Sequence, residues 1–185
     1  MKMNKALVVV DELYDFIDGS MACINGEESV KRTVGVIEKD RGGMPVLFVC
    51  DHHPANHCSF TEQGGPWPPH CVAGTRGAGI HEALTRYVEP ELVFCKGCDP
   101  DREQYSGFDG LNEAGQSLAE VLDLLDTEVV YIAGIATEFC VRSTAEDLLK
   151  AGFKVTVLKD CLAYVSLEGH LETLPELKAE GIRVV

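Results

Sequence analysis

A histidine-rich stretch at residues 51–70 contains the residue types best suited to chemistry. It holds four of the six histidines and an aspartate within twenty residues, and its prolines disfavour regular secondary structure. Asp51, His53 and His70 offer one carboxylate oxygen and two imidazole nitrogens. That set suits Zn, Fe or Mn and leaves coordination positions open for water or substrate. His57 is a candidate fourth ligand or a group that supports the ligands.

A second candidate group consists of Cys140, Lys96 and Asp11. Thr137 is predicted to cap a helix that starts at Glu138, which places Cys140 in the first turn, where the helix dipole lowers a thiol pKa. Lys96 closes an apolar strand, and its ammonium favours the thiolate of a nearby cysteine. Asp11 can accept the thiol proton and return it to a leaving group. These residues form a nucleophile set without histidine.

Short apolar runs that alternate with amphipathic segments indicate the elements that position these groups. Strands are predicted at residues 6–11, 45–51, 91–96, 128–134, 154–158 and 182–185. Helices are predicted at residues 28–40, 111–125 and 138–151, with one more before the last strand. The alternation predicts an α/β fold in which a mostly parallel, six-stranded sheet is covered on both faces, as a single domain over residues 1–185.

The candidate residues follow the predicted strands in a consistent way. Asp11, Asp51 and Lys96 end the first three strands, and residues 136–140 follow the fourth. Ligands of open α/β sheets bind beyond the carboxyl ends of the strands. We therefore expect both groups to meet at one edge of the sheet.

Composition narrows the class of protein. The formal net charge of −14 argues against nucleic-acid binding, which needs clustered Lys and Arg. The apolar run at residues 6–10 is too short for a signal or membrane segment, so no membrane partner and a cytoplasmic location are expected. The eight cysteines are expected to be free thiols, and the C-x-x-C at residues 95–98 lacks the second pair of a structural zinc site. A homo-oligomer is compatible with the sequence.

Five segments resemble those of the nicotinamidases, a branch of the isochorismatase-like hydrolases. Residues 51–60 resemble D-W-H-P-x-N-H-x-S-F, and residues 67–75 resemble W-P-x-H-C-V-x-G-T. Residues 96–108 are similar to K-G-x-D-P followed by Y-S-x-F, and residues 134–141 to G-x-A-T-D-Y-C-V. Residues 11–16 match the ends of D-x-Q-N-D-F. The segments keep the order and spacing of that family over nearly the whole chain.

The resemblance implies an isochorismatase-like, Rossmann-like α/β/α fold of three layers and a cysteine amidohydrolase. Its expected reaction is deamidation of nicotinamide, with pyrazinamide as a second candidate substrate, to the acid and ammonia through a thioester, a step in NAD recycling. Cys140 would attack the carboxamide carbon, Asp11 would take the proton of the Cys140 thiol, and Lys96 would hold this ion pair in place. The backbone N–H groups of Ala136 and Cys140 would form the oxyanion hole, with a cis peptide between Ile135 and Ala136.

The resemblance also implies one divalent ion (Zn, Fe or Mn) on Asp51, His53 and His70 that binds the ring nitrogen of the substrate. The residues expected to contact the substrate are Phe16, Trp67, Tyr105 and Ile135. The chain departs from the family motifs at positions expected to alter the pocket rim, namely Leu13, Tyr14, His52, Glu138 and Phe139.

Two alternatives remain open from the sequence. Another cysteine amidase of the superfamily, acting on carbamoyl or ureido substrates, would share the nucleophile but is not expected to carry the metal set. A non-catalytic metal-binding or thiol-redox protein would use the cysteines without releasing ammonia, and it would leave Asp11 and Lys96 without a role.

Overall fold

The computed structural model describes residues 4–185, which contain one sheet of six parallel strands in the order β3-β2-β1-β4-β5-β6. The strands are β1 (Lys5–Val10), β2 (Val46–Asp51), β3 (Val93–Lys96), β4 (Val129–Gly134), β5 (Lys154–Leu162) and β6 (Arg183–Val184). Every strand pair in this sheet is parallel. The predicted α/β class and six-stranded sheet are confirmed.

Helices cover both faces of the sheet. They are α1 (Tyr14–Ile17), α2 (Gly26–Asp40), α3 (Leu118–Leu124), α4 (Arg142–Lys150) and α5 (Leu167–Glu180), with a π-helical turn at Thr137–Val141. Short 3₁₀ turns lie at Thr61–Gln63, Arg76–Ala78, Glu82–Tyr87 and Pro90–Leu92. Leu118, Leu148 and Leu177 pack on one face, and Val30 and Ile37 pack on the other. The result is the expected three-layer arrangement.

Strand β1 shows why the sequences of the central strands are continuous apolar runs. Ala6, Val8 and Val10 belong to the core beneath α3, α4 and α5, whereas Leu7 and Val9 belong to the core beneath α2. Both sets of side chains are buried. A strand covered on both faces needs apolar residues at every position, which explains the pattern.

The helix predicted for residues 111–125 is wrong in its first half, because helix α3 starts only at Leu118. The side chain of Asn112 accepts hydrogen bonds from two backbone N–H groups that follow it, and Gly115 has a φ of 76°. Both features form a turn instead of a helix. The helix begins at a capping box, in which Ser117 and Glu120 exchange side-chain to backbone hydrogen bonds.

Strand β5 extends to Leu162, four residues beyond its predicted end at residue 158. The exposed pair Lys159 and Asp160 interrupts the apolar run, which hides the continuation in the sequence. The pairing with β4 shifts between Ile132 and Gly134, and Gly134 then pairs with Leu162. The extension brings the end of β5 beside the segment that follows β4.

The strand order places a crevice above the centre of the sheet. The connections that leave β1 and β4 lead to opposite sides, to β2 and β5 respectively. A crevice opens at such a point beyond the carboxyl ends of the two strands. Among residues 4–185, no helix is both long enough and apolar enough to cross a membrane.

Candidate active site

Four strand ends bring the predicted polar residues together at this crevice. Asp11 follows β1, Asp51 and Lys96 are register partners at the ends of β2 and β3, and Cys140 lies in the turn after β4. Their exposed fractions are 0% for Asp11, 4% for Asp51, 1% for Lys96 and 7% for Cys140. A lysine and two aspartates are rarely buried unless they are paired.

The ammonium of Lys96 lies between two carboxylates and a thiol. Its Nζ is 2.9 Å from Asp11 Oδ2, forms an ion pair with Asp51 Oδ1, and donates to Cys140 Sγ at 3.4 Å. Asp11 Oδ1 accepts the backbone N–H of Asp51 at 2.8 Å. One buried cation therefore compensates two buried carboxylates, and all three groups face the same thiol.

Burial and mutual charge shift the pKa values of this group in different directions. Burial raises the pKa of Asp11 to about 6, helped by the charge of Asp51 and opposed by Lys96. Burial also acts to raise the pKa of Asp51, but Lys96 and His53 overcome it and hold that pKa well below its usual range. Burial disfavours the charged form of Lys96, yet the two carboxylates raise its pKa well above the usual value. Asp11 is thus the carboxylate best placed to exchange a proton near neutral pH.

The prediction that the helix start lowers the pKa of Cys140 is wrong. Burial raises the pKa of the thiol well above its usual value, and Lys96 offsets this only in part. Burial therefore favours the neutral thiol of Cys140, which requires a base to become a nucleophile. A carboxylate oxygen of Asp11 lies within 4.8 Å of the Cys140 sulfur, so Asp11 is the candidate base by position.

The predicted cap of this turn is also wrong. Ala136, not Thr137, is the residue before the turn, and its carbonyl accepts the N–H groups of Phe139 and Val141 at 3.1 and 3.2 Å. The hydroxyl of Thr137 points to a neighbouring segment instead, because its backbone already lies inside the turn. The peptide bond between Ile135 and Ala136 is cis, as expected.

The predicted metal ligands form a compact, buried group. Asp51 Oδ2 is 3.4 Å from His53 Nε2 and 4.0 Å from His70 Nε2, and the three donor atoms lie within 4.8 Å of one another. Ligands on a tetrahedral zinc lie about 3.3 Å apart when its bonds are about 2.0–2.1 Å. The other ring nitrogens bond to the carbonyls of Gly97 and Pro68, which turns both Nε2 atoms toward Asp51. The donor set fits a divalent metal.

Protonation of the two imidazoles is controlled by the same surroundings. Burial acts to lower the pKa of both rings. The Asp51 carboxylate overcomes burial at His53, whose pKa is raised, but not at His70, whose pKa is lowered. A carboxylate that attracts positive charge to this point also attracts a cation.

The remaining histidines of the stretch lie outside the ligand group. Both ring nitrogens of His57 are engaged, Nδ1 by Ser59 Oγ at 2.7 Å and Nε2 by the Arg102 carbonyl at 3.1 Å. Its ring packs against that of His53, with centroids 4.1 Å apart and planes tilted by 31°, so it supports a predicted ligand. His52 is exposed and lines a different groove.

A cavity connects the two groups. Its lining includes both metal-site and nucleophile residues, namely Asp51, His53, His70 and Cys140. Its walls are mainly aromatic and apolar, formed by Phe16, Met21, Cys23, Trp67, Glu103, Tyr105, Ala136, Phe139 and Val165. A small planar ring with one polar substituent suits such a space.

Three of the four residues expected to contact substrate line this cavity, namely Phe16, Trp67 and Tyr105. Trp67 donates its indole N–H to the Tyr105 hydroxyl at 3.1 Å, which joins two walls. Ile135 does not line the cavity, because its side chain packs into the core beneath α2.

The cavity also has walls that no motif pointed to. Phe139, which the sequence marks only as a departure from the family motif, packs against Trp67 and Tyr105, with ring centroids at 5.1 and 5.6 Å. Cys23 and Val165 reach the cavity from connections far away in the sequence. No local sequence signal could have assigned them.

Comparison with known proteins places this geometry in a family. The Isochorismatase domain model matches residues 5–185. The chain belongs to the isochorismatase family. Within that family it is 35% identical to the nicotinamidase/pyrazinamidase of Mycobacterium tuberculosis, over 98% of each chain. The resemblance to nicotinamidases found in the motifs is confirmed.

Solved structures of the family share the fold. The pyrazinamidase of Pyrococcus horikoshii in complex with zinc superposes with a TM-score of 0.89 at 38% identity, covering 98% of each chain. PnC1 from L. infantum in complex with nicotinate gives a TM-score of 0.87 at 34% identity, covering 99% of this chain and 92% of that one. The isochorismatase-like architecture expected from the sequence is confirmed.

Proposed function

We propose that this protein is a metal-dependent cysteine amidohydrolase that converts nicotinamide to nicotinate and ammonia. The observation that carries the proposal is the double use of Asp51. Its Oδ1 pairs with Lys96 beside the Cys140 thiol, and its Oδ2 faces His53 and His70. One carboxylate thereby fixes the distance between the nucleophile and the metal site. An aromatic carboxamide requires such a fixed distance, because its ring nitrogen and its carboxamide carbon must reach the two groups at the same time.

The first step is activation of the thiol. Asp11, with a pKa raised to about 6, is ionised at neutral pH and takes the proton of Cys140. Lys96 stabilises the thiolate through its contact with Sγ at 3.4 Å. The sulfur then bonds to the carboxamide carbon, and the carbonyl π electrons move to oxygen.

The second step is collapse of the tetrahedral intermediate. The backbone N–H groups of Ala136 and Cys140 donate to the oxyanion, usually the largest electrostatic contribution to such a reaction. Asp11 returns its proton to the amide nitrogen, the carbon–nitrogen bond breaks, and ammonia leaves a thioester on Cys140. Asp11 then deprotonates the water that hydrolyses the thioester, which releases the acid and restores the thiol.

Substrate orientation is assigned to the metal set and the aromatic walls. Asp51, His53 and His70 would hold the divalent ion, which the spacing and chemistry of their donor atoms support. When bound, the ion supplies a coordination position for the pyridine ring nitrogen. Phe16 and Trp67 confine the ring, so that the carboxamide reaches Cys140.

The substrate class is supported by the relatives. The Mycobacterium tuberculosis enzyme is named for both nicotinamide and pyrazinamide, and the zinc and nicotinate complexes belong to homologous chains. We extend nicotinamide, zinc-type metal binding and the candidate substrate pyrazinamide to this protein on that basis. A carbamoyl or ureido substrate offers no ring nitrogen for the metal set to bind.

The test is direct detection of the covalent intermediate. Wild-type protein is mixed with nicotinamide, quenched in acid and analysed by peptide mass spectrometry, while ammonia is measured in parallel. We expect a nicotinoyl group on the peptide that contains Cys140, and neither adduct nor ammonia with Cys140→Ala. Ammonia release by Cys140→Ala at the wild-type rate would refute the nucleophile assignment.

A further inference from the structure

We propose that His170, on helix α5, is a positioning residue for the oxyanion-binding segment and acts through the hydroxyl of Thr137. The inference rests on the proposed function, because the backbone N–H groups of Ala136 and Cys140 flank Thr137. His170 itself touches neither the substrate cavity nor the reacting atoms. Its role would be to hold the two donors where charge develops on the substrate oxygen.

The side chain of Thr137 is the link. Thr137 is fully buried, and its Oγ1 lies 2.8 Å from His170 Nδ1 and 3.2 Å from the Ala163 carbonyl oxygen. The backbone N–H of Thr137 donates to the same carbonyl at 3.0 Å. The hydroxyl donates its one proton to the Ala163 carbonyl and accepts the N–H of His170 when that ring carries its proton on Nδ1. In this state it joins the segment after β4 both to the residue that follows β5 and to α5.

The imidazole of His170 is itself held in place. It stacks on the ring of Tyr164, with centroids 4.3 Å apart and planes at 29°. Tyr164 exchanges two backbone hydrogen bonds with Ile24, at 2.9 and 3.1 Å. A ring fixed on one side by stacking is a firm anchor for the hydroxyl on its edge.

A second contact joins the same two segments. Glu138 Oε1 accepts the backbone N–H of Ser166 at 2.8 Å, and the Ser166 hydroxyl caps α5 by accepting the N–H of Gly169 at 3.0 Å. Thr137 and Glu138 therefore both contact the start of α5. Thr137 contacts the imidazole of His170, and Glu138 contacts the backbone N–H of Ser166. The two contacts fix the turn in position and in rotation.

This arrangement predicts a specific kinetic signature. Oxyanion donors act only when they lie about 2.7–3.1 Å from the developing charge. A small displacement of the donors therefore reduces the stabilisation of the transition state and leaves substrate binding unchanged. Substrate contacts come from other walls, such as Phe16 and Trp67. Loss of the His170 bond should therefore lower kcat and leave KM near its wild-type value.

Two substitutions separate the hydrogen bond from the ring. His170→Phe keeps a ring against Tyr164 and removes Nδ1, whereas His170→Asn keeps a polar atom near the position of Nδ1 and removes the ring. Leu171→Ala, at a residue 59% exposed on the same helix, is the control for general disturbance of α5. We expect kcat to fall about tenfold in His170→Phe, a part of the 10²–10³-fold loss seen when an oxyanion donor is removed.

The experiment measures kcat, KM and inhibition by nicotinaldehyde with metal-loaded protein. The aldehyde adds the Cys140 thiol across its carbonyl, forming a sulfur–carbon bond and placing an oxygen at the oxyanion position. His170→Phe should weaken inhibition by the same factor as kcat, and His170→Asn should recover most of both. Leu171→Ala should match wild type.

The opposite results are equally specific. An unchanged kcat in His170→Phe, or a loss that His170→Asn does not recover, would overturn the role of His170. A rise in KM with kcat unchanged would also overturn it, because that would place the residue in substrate binding. Failure of the wild-type protein to release ammonia would instead overturn the proposed function.

Discussion

Replacement of Lys96 by methionine tests the electrostatics on which the site depends. Methionine keeps most of the side-chain length and removes the charge, so Asp11 and Asp51 face each other without compensation. A carboxylate oxygen of Asp11 and one of Asp51 lie within 4.8 Å of each other. Two carboxylates at that separation repel by about 3.5 kcal/mol at an effective dielectric constant of about 20. Loss of one partner from a buried ion pair costs a similar amount, about 3–5 kcal/mol.

We therefore expect Lys96→Met to lower the free energy of unfolding by about 3 kcal/mol. The measurement is urea denaturation of metal-free protein at pH 7.5, where wild-type Asp11, with a pKa of about 6, is ionised. The double variant Lys96→Met/Asp11→Asn removes the repulsion and should recover part of the lost stability, because Asp51 stays buried without its partner Lys96. Neither variant should release ammonia, because one lacks the stabilising cation and the other also lacks the base.

The control is Asp11→Asn alone, in which Lys96 still pairs with Asp51. It should be close to wild type in stability and inactive. A Lys96→Met variant within about 1 kcal/mol of wild type would refute the electrostatic account, since a buried charge imbalance cannot be that small. A double variant no more stable than Lys96→Met would show that repulsion between Asp11 and Asp51 contributes nothing to the loss.

Three further predictions concern metal and pH. His53→Ala should retain less than one equivalent of metal and raise KM; unchanged metal stoichiometry by elemental analysis would contradict the ligand assignment. The value of kcat/KM should fall as pH drops through about 6, because protonated Asp11 cannot accept the thiol proton; a flat profile to pH 5 would exclude it as the base. Glu12 is buried and bonded to Thr33 Oγ1 at 2.7 Å, and burial raises its pKa to about 8. Because the folded state holds this proton above the unfolded pKa, wild type should lose stability relative to Glu12→Gln as pH rises from 5 to 8. The loss is at most about 1.4 kcal/mol per pH unit, and a constant difference in denaturant unfolding would refute it.

The sequence predicted the sheet and the meeting of the two chemical groups for a physical reason. Central strands buried on both faces must be apolar throughout, so Asp11, Asp51 and Lys96 mark strand ends. Parallel strands place all such ends at one edge, which converts positions in the sequence into neighbours in space. The histidines proposed as metal ligands were recognisable because four histidines within twenty residues are unusual for a loop.

Other features depend on contacts that a linear pattern does not contain. The turn at Asn112 replaced half of a predicted helix, because side-chain bonds to the backbone outweighed apolar periodicity. Thr137 was predicted as a cap from its position, but its partners Ala163 and His170 come from distant segments. The predicted direction of the pKa shift at Cys140 was wrong because burial, which a sequence does not quantify, raises the pKa more than the charge of Lys96 lowers it.

In the proposed function, one cavity joins a cysteine nucleophile to a metal that orients nicotinamide. The measurement that tests it most directly is ammonia release from nicotinamide by purified protein, before and after chelation and after metal is restored, with metal content determined on the same samples. We predict fast release at about one equivalent of metal, a steep loss on chelation, and recovery on reconstitution with zinc, iron or manganese. Full activity in metal-free protein, or no release from metal-loaded protein, would contradict the claim.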